Sequence, residues 1–249
     1  MKESIEQTIF FLHIPKCAGT TLTEEIIKKE YLPEELIIFY EHGTGELIRL
    51  LQEMPRREQE KIKCFAGHYA YGVHKYYTAR PAAYLTLLRD PCERVVSHYY
   101  DVLRRENHYL HKAVAGKKEK SLTLKEYVEN KLSIELDNGQ TRILAGVGWG
   151  AGFGECSAAM LEQAKKNLET FAAVGISEEF EAYLDLINKK FGWEIPAYDR
   201  RNVAGNRPEK ESLDRETLSV LEQYNALDIE LYDYARRMFR RQLEAAPGV

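Results

Sequence analysis

Thr8-Ile9-Phe10-Phe11-Leu12-His13-Ile14 is an almost unbroken apolar run stopped by Pro15. A run of that length without polar alternation is the pattern of a strand buried on both faces, as in a parallel sheet covered by helices. After a short loop, Lys16-Cys17-Ala18-Gly19, the segment Thr20-Thr21-Leu22-Thr23-Glu24-Glu25-Ile26-Ile27 reads as a helix with acidic residues in its early turns. A second strand is expected over 83–88, ended by Arg89-Asp90-Pro91. There Asp90 suits an N-cap and Pro91 the first helical position, so a helix should run from Pro91 through Tyr100. Further strands are expected over 171–176, 36–40 and 63–66. Helical patterns fill 44–54, 123–130, 157–168 and 178–191, with one long helix over 214–243. Strands alternating with helices predict an α/β fold, a central, mostly parallel sheet flanked by helices. With no repeat and no clean linker, residues 1–249 read as a single domain.

Composition narrows the partners. The 35 Lys and Arg against 39 Asp and Glu leave a formal charge of −4, which argues against a general nucleic-acid binder. Any polyanionic partner must then meet a local basic patch. Nothing approaches the ~18 consecutive apolar residues of a membrane span. The opening MKESIEQT is too polar for a secretory signal. Cys17, Cys64, Cys92 and Cys156 show no CxxC spacing. They read as reduced thiols of a cytosolic protein, with no metal site. His108 and His111 lack a third ligand at helical spacing and read as surface residues.

A buried strand, a tight turn with a small residue and a helix opening on two threonines make an anion cradle. The helix N-terminus offers unpaired N–H groups and partial positive charge. Gly19 allows close backbone approach, Thr20 and Thr21 supply hydroxyls, and Lys16 supplies a mobile point charge. The same residues also fit a plain strand–helix connection whose threonines cap the helix. The triphosphate loop GxxxxGK[ST] is not present here, because the lysine precedes the glycine.

The wider strings add a resemblance. His13-Ile14-Pro15-Lys16-Cys17-Ala18-Gly19-Thr20-Thr21-Leu22 resembles the 5′-phosphosulfate loop of Golgi-type carbohydrate sulfotransferases. The segment from Arg89 through Tyr100 is similar to the same family's 3′-phosphate motif, RDPxxRxxSxY. Weaker similarity continues through Gly67–Gly72, Asp137–Arg142 and Val174–Glu178, and points most to the uronyl and heparan sulfate 2-O-sulfotransferases.

This resemblance implies a P-loop-like three-layer domain that moves a sulfuryl group from 3′-phosphoadenosine 5′-phosphosulfate to an acceptor hydroxyl, without a metal. It implies that Lys16, Cys17, Ala18, Gly19, Thr20 and Thr21 hold the 5′-phosphosulfate, with Lys16 stabilising the leaving phosphate. Arg89 and Ser97 would hold the 3′-phosphate, and Arg201 would close it from a late loop (Arg200, Arg201, Asn202, Asn206). His68 in the matching Gly-His segment would be the base. His13 reads instead as a core histidine and His98 as a packing residue. Asp90 reads as structural, while Arg94 fits either a site role or a surface ion pair.

On the acceptor side, the seven cations Arg104, Arg105, Lys112, Lys117, Lys118, Lys120 and Lys125 form a basic strip. It fits either a solvated loop or a docking surface for an anionic glycan. Asn138 and Arg142 are candidate acceptor contacts as well. The animal relatives are membrane-anchored Golgi enzymes, whereas this chain reaches its first strand within a few residues. A cytoplasmic enzyme is therefore expected. A phosphotransferase using ATP, or a non-catalytic nucleotide- or glycan-binding module, shares the strand–loop–helix layout.

Overall fold

A computed structural model describes residues 7–40, 43–116, 121–195, 197–198 and 208–246. Five strands, β1 (Thr8–Leu12), β2 (Leu36–Phe39), β3 (Cys64–Gly67), β4 (Ala82–Leu88) and β5 (Ala173–Ile176), form one sheet in the order β2-β3-β1-β4-β5. Every pairing is parallel, as the unbroken apolar run of β1 requires. All five β1 residues are buried. The register sets Phe10 beside Phe65 of β3 and Tyr84 of β4, and its ring stacks on both, with centroids 4.8 and 5.3 Å apart. Each such side chain contributes about 1.5–3 kcal/mol through burial.

From β1 the chain crosses to one side of the sheet for β2 and β3, then to the other for β4 and β5. That reversal opens a crevice at the carboxyl ends of the central strands, where α/β sheets place ligands. The expected strands are all present, trimmed or shifted by one or two residues.

Helices cover the sheet, among them Gly43–Glu53, Ala158–Leu168, Phe180–Phe191 and Ala226–Ala245. A second apolar cluster, including Val95, Val96, Tyr127, Val128 and Leu221, joins the helices Pro91–Arg104, Leu124–Glu129 and Arg215–Tyr224. No helix among the described residues is long and apolar enough to cross a membrane.

The expected long C-terminal helix is in fact two, Arg215–Tyr224 and Ala226–Ala245, broken at Asn225. The buried Asn225 amide donates to the main-chain oxygens of Leu221 and Leu136 at 3.0 and 3.1 Å. Asn138 Oδ1 then accepts from the N–H groups of Leu227 and Asp228 at 2.9 and 3.1 Å. Asp228 returns the favour to the helix Gly139–Leu144, accepting from Gln140 N and Thr141 N at 3.0 and 2.7 Å. Two helix starts thus cap each other, satisfying donors that would otherwise be orphaned. Asn138 is therefore a structural cap, and its expected acceptor role is corrected.

Candidate active site

The loop after β1 turns through two left-handed residues that are not glycine, Lys16 (φ 70°) and Ala18 (φ 61°). Such conformations cost on the order of 1–3 kcal/mol each and gather at functional sites. They bring the chain into a helix that starts at Gly19–Thr21, continues as a π-helix over Leu22–Ile27 and ends over Lys28–Glu30. Gly19 is required by a neighbour: a Cβ there would fall inside the buried His13 ring.

The Lys16 ammonium lies 3.1 Å from Asp101 Oδ2 on the helix Pro91–Arg104. Burial lowers the Lys16 pKa below its ordinary value; Asp101 opposes that, while Arg104 and Arg105 add to it. Arg104 and Arg105 both pair with the same Asp101 carboxylate, at 2.8 and 3.5 Å.

Arg89, at the end of β4, donates from Nη1 to the main-chain oxygen of Lys16 at 3.2 Å and from Nη2 to Glu93 at 3.2 Å. Gln140 bridges these parts. It exchanges hydrogen bonds with the Arg89 backbone at 3.0 and 2.9 Å, and its Oε1 lies 3.6 Å from Cys17 Sγ. Glu93, Ser97 and Asp101 follow at i, i+4 and i+8 of one helix and so share a face. Ser97 is half-buried on that face, between the carboxylate that holds Arg89 and the one that holds Lys16. Lys16, Cys17, Ala18, Gly19, Thr20, Thr21, Arg89 and Ser97 therefore belong to one neighbourhood at the carboxyl edge of the sheet. Asp90 is the expected N-cap, accepting from Glu93 N at 3.0 Å, and it pairs with Lys210. Arg201 and its neighbours Arg200, Asn202 and Asn206 lie outside the described residues.

His68 follows β3 directly, its N–H bound to Phe39 O at 2.8 Å. Its ring meets those of His13 and Tyr40, with centroids 4.6 and 4.7 Å away, and its Nε2 is buried without a hydrogen-bond partner among the described residues. Burial pushes the His68 pKa down to about 4; Glu135 raises it and Lys16 lowers it further. His13, fully packed with Nδ1 3.4 Å from the Tyr40 hydroxyl, is held neutral by burial and by the charges of His68 and Lys16.

The low His68 pKa has a consequence for stability. Below its ordinary value of 6.5 the unfolded imidazole takes up a proton that the folded one refuses until about pH 4. Stability is therefore complete above pH 6.5 and falls as pH drops through that window, by up to about 3 kcal/mol from this group. Urea unfolding at pH 7 and at pH 4.5 should show the loss, and His68→Gln should reduce it by the His68 share while the buried His13 keeps its own; a loss that the variant leaves unchanged would remove the buried neutral His68 from the account.

Two other expectations, on Arg94 and Arg142, are corrected. Arg94 is fully buried and donates to the main-chain oxygen of Glu135, so it is no surface ion-pair partner. Arg142 is buried against Asp137 and cannot reach an acceptor. In the basic strip, Arg104 and Arg105 serve Asp101 and Lys125 pairs with Glu129 and Glu216, while Lys117, Lys118 and Lys120 lie outside the described residues.

Asp101, Gln140 and Glu135 were not singled out from the sequence. Glu135 Oε2 lies 3.3 Å from His98 Nε2, whose Nδ1 meets the Tyr127 hydroxyl at 2.8 Å. Burial alone would raise the Glu135 pKa, but His98, Arg94 and His68 together hold it down at about 2. A standing carboxylate is thereby kept near the His68 imidazole.

Comparison with known proteins places the chain in a family. Residues 4–141 match the family model described as "Sulfotransferase family". The chain belongs to the sulfotransferase family. Among its relatives are heparan-sulfate 6-O-sulfotransferase 1 of Homo sapiens, 24% identical over 96% of this chain and 67% of that protein, and heparan-sulfate 6-O-sulfotransferase 1-B of Danio rerio, 25% identical over the same shares. Two solved structures are also similar: a sulfotransferase from Alicyclobacillus acidocaldarius (TM-score 0.46, 16% identity, 95% of this chain and 97% of that one) and mouse sulfotransferase SULT7A1 complexed with PAP (TM-score 0.44, 16% identity, 98% and 90%).

This chain is thus a sulfotransferase enzyme with the expected α/β fold. Two expectations change. The relatives named here are 6-O-sulfotransferases, so the leaning towards the 2-O enzymes has no support from them. The expected cytoplasmic location is overturned as well, because it conflicts with kinship to heparan-sulfate sulfotransferases, which are enzymes of the Golgi carbohydrate type.

Proposed function

We propose that this sulfotransferase moves a sulfuryl group from 3′-phosphoadenosine 5′-phosphosulfate to a carbohydrate hydroxyl, residues 1–249 acting as one domain. The observation that carries the reading is the approach of two motifs distant in sequence: the Arg89 guanidinium sits 3.2 Å from the Lys16 carbonyl, while the Lys16 ammonium reaches the helix that follows Arg89. The donor has anionic groups at both ends of one nucleoside. Two cation-bearing sites on one sheet edge suit it better than a single triphosphate cradle.

In the reaction the acceptor oxygen forms a bond to sulfur as the bond from sulfur to the bridging phosphate oxygen breaks. Lys16 leaves Asp101 and meets the negative charge growing on that oxygen, an interaction stronger in the transition state than before it. Arg89 and Ser97 hold the 3′-phosphate. The acceptor proton passes to the His68 imidazole, which burial keeps neutral at pH 7. Glu135 then stabilises the imidazolium. The products are a sulfate ester and adenosine 3′,5′-bisphosphate. Kinship with heparan-sulfate 6-O-sulfotransferases favours a heparan-sulfate-like acceptor and a 6-hydroxyl, which linkage analysis of the product would read.

Ligand-induced stabilisation separates this from the phosphotransferase reading. Adenosine 3′,5′-bisphosphate at 100 times its Kd should stabilise the protein by about 2.7 kcal/mol, and ATP with Mg²⁺ at the same concentration by much less. Equal thermal shifts, or none, would reject the donor assignment. Turnover of labelled donor separates an enzyme from a binding module.

A further inference from the structure

We infer that Trp149 is a stacking platform for a pyranose ring of the acceptor, a subsite displayed by a rigid glycine-rich loop beside the His68 segment. The inference rests on the carbohydrate reading above. Gly146, Gly148, Gly150, Gly152 and Gly154 alternate through this loop, and Trp149 is one of two tryptophans in the chain. It stands 42% exposed while Trp193 is wholly buried. A single exposed apolar residue means little by itself. Three features set this one apart.

The first is how firmly the loop is held. The buried Arg142 guanidinium donates from Nη1 to Ala151 O and from Nη2 to Gly152 O, each at 2.7 Å. Asp137, its ion-pair partner, accepts from Gly154 N at 2.7 Å. Upstream, Arg142 O accepts from Val147 N and Gly148 N at 3.1 and 2.9 Å. One buried residue thus anchors both sides of Trp149, so an exposed indole is presented with little freedom to collapse.

The second is location. A Cβ on Gly148 would lie 3.3 Å from Ala70 Cβ, and one on Gly146 would lie 2.9 Å from Tyr71 O. The loop therefore packs directly on the residues two and three positions after His68, and Tyr71 N is tied to Ile143 O at 3.0 Å. The loop that carries Trp149 thus adjoins the segment whose histidine would take the acceptor proton.

The third is shape. Glycine on each side of Trp149 leaves no neighbouring side chain in sequence to cover the indole. A flat, open aromatic face suits the C–H face of a pyranose, an apolar surface carried by an otherwise polar ligand. It would not by itself grip a flexible anionic chain.

The test is a titration with a heparan sulfate hexasaccharide in the presence of adenosine 3′,5′-bisphosphate, followed by tryptophan fluorescence. Wild-type protein should show a saturable change that is absent in Trp149→Phe, since the enclosed Trp193 cannot report it. With active donor, Trp149→Ala should raise the acceptor KM about 10-fold, as expected for a contact near 1.4 kcal/mol, with the loss on KM and not on kcat, and Trp149→Phe should restore part of it. A wild-type fluorescence change that persists in Trp149→Phe, no change at all, or an unaltered acceptor KM overturns the platform. Stabilisation by adenosine 3′,5′-bisphosphate alone is indifferent to these outcomes, so its loss would mark failure of the donor reading instead.

Discussion

Lys16→Ala is expected to lower kcat about 100- to 1,000-fold, the range for removing one charged or hydrogen-bonding group aimed at developing negative charge. Lys16 is already desolvated, which strengthens its attraction to any anion that replaces Asp101. The exchange is a near balance. The ammonium gives up one carboxylate for the phosphosulfate, and Asp101 keeps Arg104 and Arg105, so no buried charge is stranded. For the same reason Lys16→Ala should remain folded, with a thermal midpoint close to wild type. Lys16→Arg should not recover the rate, because a planar guanidinium cannot substitute for a compact point charge on the backbone twist at φ 70°. His68→Ala should fall by a similar or larger factor, on the order of 10²–10⁴, if it takes the proton. Single-turnover transfer of labelled sulfate measures both. A Lys16→Ala rate within threefold of wild type would end the assignment of the leaving-group cation.

The buried strands were legible because a strand covered on both faces must be apolar at nearly every position, and β1 and β4 interrupt the run with a hydroxyl only at Thr8, Tyr84 and Thr86. The loop after β1 was legible as a tight turn into a helix because Pro15 stops the apolar run and the helix opens at Gly19; its hold on the donor is proposed. What escaped was whatever depends on distant chain. Nothing near Asn225 says that the helix must break there, since the groups that hold the break come from Leu136 and Asn138. Asn138 and Arg142 were misread for the same reason. A polar side chain in a motif looks identical whether it meets a ligand or a buried helix end, and only the fold tells them apart. Asp101 and Glu135 are commonplace acidic residues in sequence; they matter because helix packing sets one against Lys16 and the other against His98. Arg104 and Arg105 count as free positive charge in a composition, yet a carboxylate of their own helix engages them.

Arg142→Ala should destabilise the protein by about 3–5 kcal/mol, the cost of stranding one member of a buried ion pair. Among the described residues Asp137 would keep Asn138 Nδ2 at 2.8 Å and Gly154 N as donors for its carboxylate. Buried ion pairs can often be replaced by apolar residues of similar volume with little loss, but the same swap should fail here. The guanidinium also satisfies Asp137 O, Ala151 O and Gly152 O, so Arg142→Met with Asp137→Leu removes the pair and still takes the guanidinium from the Asp137 and Ala151 carbonyls, while Gly152 O keeps Glu155 N at 3.1 Å. The double variant should therefore stay about 1 kcal/mol or more below wild type in urea unfolding, an orphaned buried carbonyl such as that of Asp137 costing on the order of 1 kcal/mol. Full recovery by the apolar pair would mean that the arginine serves the core alone and that the loop carrying Trp149 holds itself in place.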